Sequence, residues 1–289
     1  MTARLDGHSA IVTGASRGLG RAIALALAAE GAGVAVVART EQVWNDKLPG
    51  TIGETVAEIE AAGGRAVAIR ADLTVREDLT RLVDEARAAL GPATILVNNA
   101  AFTAPGRPPK EGEAPKPKRD RPAATPEAAD WPPFVGTPIH AFRRHFEIGV
   151  FAAYELMQLA ARDMIAAGRG AIINISSIAS RIPGEGPFED FSGGILPGYG
   201  GSKAALEHLT SSAAYELQRR NISVNALSPS QAMMTPGLSY YRTDFDDIGS
   251  EADFAEAVVR LALVDPAQVT GRTIGHREVL DGTFASFAP

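Results

Sequence analysis

The sequence predicts an α/β fold, a doubly wound parallel sheet in a single domain, on three observations. A glycine turn joins an apolar strand to a helix near the start of the chain. Strand-like and helix-like stretches then alternate, which is the pattern of parallel strands linked by helices. With 289 residues, 45% of them apolar, the chain can bury one large core, and no composition shift divides 1–289 into two.

The first strand is the apolar run from Ser9 to Val12. It leads through Thr13, Gly14, Ala15, Ser16, Arg17, Gly18, Leu19 and Gly20 into an alanine-rich helix from Arg21 to Glu30. This order makes an anion site, because the first N–H groups of a helix lack internal partners and carry the positive end of its dipole. Gly14, Gly18 and Gly20 omit side chains that would block a dinucleotide pyrophosphate. A tight turn without a ligand is the plainer alternative, and the order of strand, turn and helix argues against it. Further strands are expected at Gly33 to Val37, Arg65 to Arg70 and Thr94 to Val97, with helices at Gly53 to Ala62 and Val75 to Leu90. Long amphipathic helices at Ile139 to Ala167 and Tyr199 to Arg219 precede strands at Gly170 to Ser176 and Ile222 to Leu227, and a last strand is expected near Arg272 to His276. The whole reads as a Rossmann-type sheet.

Two stretches interrupt the alternation. Glu41 to Thr51, with Trp44 and Leu48, lengthens the link after the second strand and is expected beside the adenosine end of a cofactor. The segment from Phe102 to Pro138 holds ten of the 19 prolines and a mixed-charge run from Arg107 to Arg121. Its composition suits a disordered insertion. Its position at the carboxyl end of the fourth strand suits a lid, with Trp131 to Val135 folding over a substrate.

Composition excludes several function classes. A net charge of -6 without a basic cluster argues against nucleic acid, and no run approaches the roughly 18 apolar residues of a membrane span. The first strand begins so close to Met1 that no signal peptide fits, so the cytoplasm is expected. There is no cysteine and no His-Glu-x-x-His pair, so no metal site is expected.

Tyr199 and Lys203 stand four apart at the start of a helix and so share a face. Beside the glycine turn stand Asn98, Asn99 and Ala100, ending the fourth strand, and Asn174 to Ser177, ending the fifth. Together these resemble the short-chain dehydrogenase/reductase family, from Thr13 to Gly271. The resemblance implies an oxidoreductase that interconverts a carbonyl and an alcohol on a fairly apolar small molecule. Tyr199 would exchange a proton with the substrate oxygen. A free phenol titrates near 10, so Lys203 is expected to lower it, and also to bind the nicotinamide ribose. Ser177 would hold the carbonyl. The spacing from Ser177 to Tyr199 is lengthened by a glycine- and proline-rich insertion, Arg181 to Pro197, expected to shape the pocket.

Aligning Phe146 to Gly149 with the family's Phe-Asp-Val-Asn puts Gly149 where a catalytic asparagine is usual. His145 and Glu147, close by, are read as ordinary helix positions. In cofactor choice, Ala38 replaces the aspartate of NAD-preferring members, while Arg39 and Arg17 suit a 2′-phosphate, so NADP(H) is expected. The resemblance further implies cofactor contacts at Gly14, Ser16, Arg17, Gly18, Leu19, Gly20, Asp72, Leu73, Asn99, Ala100, Pro229 and Thr235, besides Tyr199 and Lys203. Ala101 and Ser230 replace glycines usual in the family. Met233 to Ile248 would be a substrate loop, with Leu238, Tyr240, Tyr241 and Phe245 facing the pocket. The tail from Glu278 to Gly282 has no assigned role. A homodimer or homotetramer is expected, packed through the two long helices. Two other functions stay open: a lyase on the same scaffold, and a nucleotide-binding sensor without turnover, for which Gly149 speaks.

Overall fold

The computed structural model describes residues 3–102, 133–181, 197–239 and 247–286. Among them, seven strands form one sheet: β1 (Ser9–Thr13), β2 (Gly33–Ala38), β3 (Arg65–Arg70), β4 (Ile95–Asn98), β5 (Gly170–Ile175), β6 (Ile222–Ser228) and β7 (Thr273–Gly275). Their order is β3-β2-β1-β4-β5-β6-β7 and every neighbouring pair is parallel. The order reverses between β1 and β4, where Ala10 lies beside Ile95. In an open α/β sheet that reversal leaves a crevice at the carboxyl ends of the strands.

Successive strand residues point to opposite faces, so the central strands are apolar throughout and feed two cores. Val12, Val34 and Val36 join one core with α1 (Gly18–Ala29), α2 (Ile52–Ala61) and a helix at Glu251–Ala262. Ile11, Ala35 and Val37 join the other with α3 (Arg76–Leu90), α5 (Ala153–Ala167) and α6 (Pro197–Leu217). The Glu251–Ala262 helix, α7, escaped the sequence reading. Its signals are a Ser250 cap accepting from Asp253 N, two acids in the first turn, and the fully buried Phe254 and Val258 one turn apart.

The expected continuous helix from Ile139 to Ala167 is three pieces. α4 (Ile139–Phe146) passes into a π-helical turn, Glu147–Ala152, and then into α5. The wide turn contains Gly149, a weak helix former, and such turns re-aim the side chains around them. α1 begins at Gly18 rather than Arg21, so Gly18 and Gly20 belong to the helix itself. Most of the expected lid lies outside the described residues, as do Tyr240, Tyr241 and Phe245. Of the lid's apolar end, Phe134 and Val135 stand exposed in a short helix, Pro133–Gly136.

Candidate active site

One cleft at the carboxyl ends of the strands collects the residues that the sequence singles out. Its floor is Gly14, Ser16, Arg17, Gly18, Leu19 and Gly20. Arg39, Asp72 and Leu73 line one end. Asn99, Ala100, Ser177, Tyr199, Lys203, Pro229 and Thr235 line the rest. Trp44 and Leu48 of the lengthened link border it too, beside Arg39 and Thr40.

The glycine turn fits a pyrophosphate on structural grounds. Arg17, the residue before α1, is extended and makes no side-chain cap bond, and the first turn carries no acid, so the positive end of the helix faces the cleft uncompensated. Gly18 has φ +53, and a Cβ there would come within 3.2 Å of Thr235 Cβ, which sets Thr235 over the turn. β4 is tied to β1 at the same level: Asn99 Nδ2 donates to Thr13 O at 2.8 Å, and Thr13 Oγ1 accepts from Asn99 N and Ala100 N at 3.1 Å each. At the adenosine end, Arg17 Nη2 donates to Thr40 Oγ1 (3.0 Å) and Gly50 O (3.1 Å), while Arg17 Nε is buried without a partner among the described residues. Burial and then the charge of Arg39 hold the Arg17 guanidinium below its ordinary range. Arg39 Nη1 lies 3.8 Å from Asp72 Oδ2. Two guanidinium groups and a buried unpaired N–H at one end of the cleft suit an added anionic group.

At the other end, Lys203 Nζ is 5.6 Å from the centre of the Tyr199 ring and donates to Ile175 O at 2.6 Å. Ser177 hydrogen-bonds the Tyr199 side chain and also accepts from Ala179 N at 3.2 Å. Ser176, the other serine of the pair, also borders the cleft but spends its hydroxyl on Glu207 Oε1, to which it donates at 2.5 Å. The Tyr199 phenol stands above its ordinary value in this structure. Burial raises Tyr199, the Ser177 bond opposes it more weakly, and Lys203 itself is pushed down to about 8 by burial. Desolvation penalises both charged forms at once.

Several neighbours were not legible as site residues. His145 packs edge-on to Tyr199 (ring centres 5.9 Å apart) and to Phe102 (5.2 Å), and burial followed by the Lys203 charge keeps it below its usual value, hence neutral. It thus sits on a helix, as expected, and from there packs behind the Tyr199 ring. Beside Gly149 a Cβ would meet Ser202 Oγ at 3.5 Å, an ordinary contact, so a side chain could begin there. A buried amide chain braces the sheet under the cleft: Asn98 Nδ2 donates to Asn174 Oδ1, and Asn174 Nδ2 to Thr210 Oγ1, each at 2.8 Å. The tail also has a task. Ser230 N donates to the buried His276 Nδ1 at 2.9 Å and Ser230 Oγ lies 3.4 Å from Glu278 Oε2, which fastens the segment after β6 to the helix His276–Leu280.

A glycine turn at a helix N-terminus and a serine, tyrosine and lysine gathered in one cleft define a nicotinamide-dependent oxidoreductase of the Rossmann class. The chain belongs to the short chain dehydrogenase family, which it matches over residues 8–119 and 131–244. It is 31% identical to the 7alpha-hydroxysteroid dehydrogenase of Escherichia coli K12 over 281 residues, 94% of this chain and 93% of that protein. A solved 7 alpha-hydroxysteroid dehydrogenase complexed with NADH and 7-oxo glycochenodeoxycholic acid superposes with a TM-score of 0.71 at 31% identity, covering 95% of this chain and 94% of that one. A putative NAD(P) dependent gluconate 5-dehydrogenase from Beutenbergia cavernae, with bound NADP, gives 0.71 at 27% identity, covering 97% of this chain and 100% of that one. No helix among the described residues is long and apolar enough to cross a membrane.

Proposed function

We propose that this chain is an NADP(H)-dependent enzyme that interconverts a carbonyl and an alcohol on a fairly apolar small molecule. The observation that carries this is the convergence of Ser177, Tyr199 and Lys203 on the cleft whose other end is the uncapped N-terminus of α1. The nicotinamide, when bound, supplies or accepts the hydride. Ser177 orients the substrate oxygen by hydrogen bond, and Tyr199 gives it a proton or takes one from it. Lys203 would hold the ribose hydroxyls and supply the positive charge that the buried phenol needs. Gly14, Ser16, Gly18, Leu19 and Gly20 would receive the pyrophosphate, Asp72 and Leu73 the adenine, Asn99 and Ala100 would wall the cofactor, Pro229 would lead past the nicotinamide, and Thr235 would bond the pyrophosphate or the carboxamide. Turnover of NADPH with a panel of apolar ketones, and of NADP+ with the matching alcohols, tests the assignment. Binding without turnover on any of them favours the sensor reading, which rests on Gly149 at the position where the family usually has asparagine.

The preference for NADP(H) rests on Ala38, which brings no carboxylate to the end of β2, and on Arg17 and Arg39 beside it. NADPH is expected to bind at least about tenfold more tightly than NADH, or about 1.4 kcal/mol. Titration calorimetry measures both, and equal affinities would overturn the assignment.

We read 1–289 as one domain with 102–138 inserted in it, acting in the cytoplasm without nucleic acid, metal or membrane partners. Phe151 (64% exposed) and Tyr154 (48%) lie near the start of α5, and Tyr215 (76%) near the end of α6. Apolar surface on both helices supports a homodimer or homotetramer packed through them. Light scattering at micromolar concentration is expected to give two or four chains, and a monomer would refute it.

A further inference from the structure

Three consecutive residues at the end of β5 are each gripped by a side chain of α6. Ile175 O accepts from Lys203, Ser176 Oγ donates to Glu207, and Ser177 bonds Tyr199. Tyr199, Lys203 and Glu207 follow one another at intervals of four, so a single stripe of the helix makes all three contacts. Glu207 is the one of the three with no role in the reaction so far. Its side chain is only 14% exposed, and its second oxygen lies 3.9 Å from Arg181 Nη2, at the point where the chain leaves for the insertion after β5.

We propose that Glu207 is a positioning residue for this reaction: its bond to Ser176 fixes the register between the strand end that carries Ser177 and the helix that carries Tyr199, and its carboxylate sets a negative charge one helical turn from Lys203. The inference rests on the Tyr199 and Lys203 roles given above. The charged and titratable groups that act on or lie against Lys203 among the described residues are Glu207 and Tyr199 on its own helix and His145 from α4, while Arg181 beyond β5 lies against Glu207. Burial of Lys203 opposes the ammonium form, and the Lys203 charge in turn helps to hold His145 below its usual value. Glu207 is the group that favours the ammonium form, in the direction that its charge has on Lys203.

The test uses Glu207→Gln, which keeps an oxygen acceptor for Ser176 and removes the charge. The chain has five lysines, Lys47, Lys110, Lys116, Lys118 and Lys203, so the side-chain NMR signal of Lys203 can be assigned with Lys203→Arg and titrated in the cofactor-free protein. Its midpoint is expected to fall by about 0.5 pH unit or more in Glu207→Gln. In kcat/KM for carbonyl reduction the alkaline limb moves down with it, about a threefold loss one unit above the original midpoint. A midpoint and limb that stay where they are overturn the charge role, whatever happens to kcat. Ser176→Ala removes the bond and leaves the charge. It is expected to lower kcat severalfold with the Lys203 midpoint not lowered, and a wild-type kcat overturns the positioning role. Ser176→Ala also carries the test should Glu207→Gln not fold. Full turnover in Tyr199→Phe would sink the parent assignment, whereas an unshifted Glu207→Gln sinks only this one.

Discussion

Tyr199→Phe is expected to lower kcat by about 10²–10⁴-fold, with the affinity for NADPH changed less than about twofold. The substitution deletes one oxygen from a side chain whose ring is held independently, by His145 at 5.9 Å and by the α6 backbone. The ring stays in place and only the proton donor is lost. Burial already holds the phenol above its ordinary value, so near neutrality it is the protonated form that faces the substrate. That form suits reduction. For oxidation the tyrosine has to lose its proton, so the rate in that direction is expected to keep rising on the alkaline side until the lysine, near 8, gives up its charge. Lys203→Ala is expected to damage both turnover and NADPH binding, because it removes the ribose contact, the charge beside the phenol and the bond to Ile175 O together. Steady-state rates and calorimetry on the two variants separate the roles. Unchanged turnover in Tyr199→Phe would show that this cluster is not the catalytic one.

Gly20→Ala is expected to abolish measurable NADPH binding and to destabilise the fold by about 1–3 kcal/mol. A Cβ at Gly20 would run into Gly14 O and Asn99 Nδ2 and come within 2.8 Å of Gly14 C. Those atoms are not free to move. Gly14 carries φ +68 in the turn, and the Asn99 amide is spent on Thr13 O, the bond that ties β4 to β1 under the cofactor site. Relief therefore means pushing the turn away from the strand it caps. Gly53→Ala in the first turn of α2 is the control, because its Cβ would meet only Thr51 Oγ1, at 4.0 Å. A helical glycine replaced by alanine with no clash is expected to leave stability unchanged or raise it by up to about 1 kcal/mol. Thermal unfolding and NADPH titration of both variants check the pair, and a Gly20→Ala protein that binds like wild type would overturn the close-packing account of that glycine.

Much of the site could be read from the chain because its chemistry is carried by short local patterns. A strand, a glycine turn and a helix in sequence suffice to make an anion site, and four-residue spacing suffices to bring Tyr199 and Lys203 together. The choice between Ser176 and Ser177 needed more. Both end the same strand, and only the contacts made across to α6 separate the serine on Tyr199 from the serine on Glu207. His145 and Glu207 were missed for a related reason. Each sits on a helix where a polar residue is usually solvated, and what ties it to the neighbourhood of Tyr199 and Ser176 is the ring or strand end that a distant segment brings against it. The break in the long helix at Glu147–Ala152 was hidden as well, since a π turn preserves the apolar pattern while inserting one residue into it.

The sequence by itself determined the alternation of strands and helices, the parallel sheet that follows from it, the glycine turn and the pairing of Tyr199 with Lys203 on one helix face. These depend on backbone propensity, side-chain period and spacing, all of which act over a few residues. Only the tertiary structure decided how those groups are charged and what holds them. Burial of Tyr199 and Lys203 in one cleft raises the phenol and lowers the amine. Desolvation depends on how much protein packs around a group from every side, and that is a property of the assembled fold rather than of any stretch of the chain.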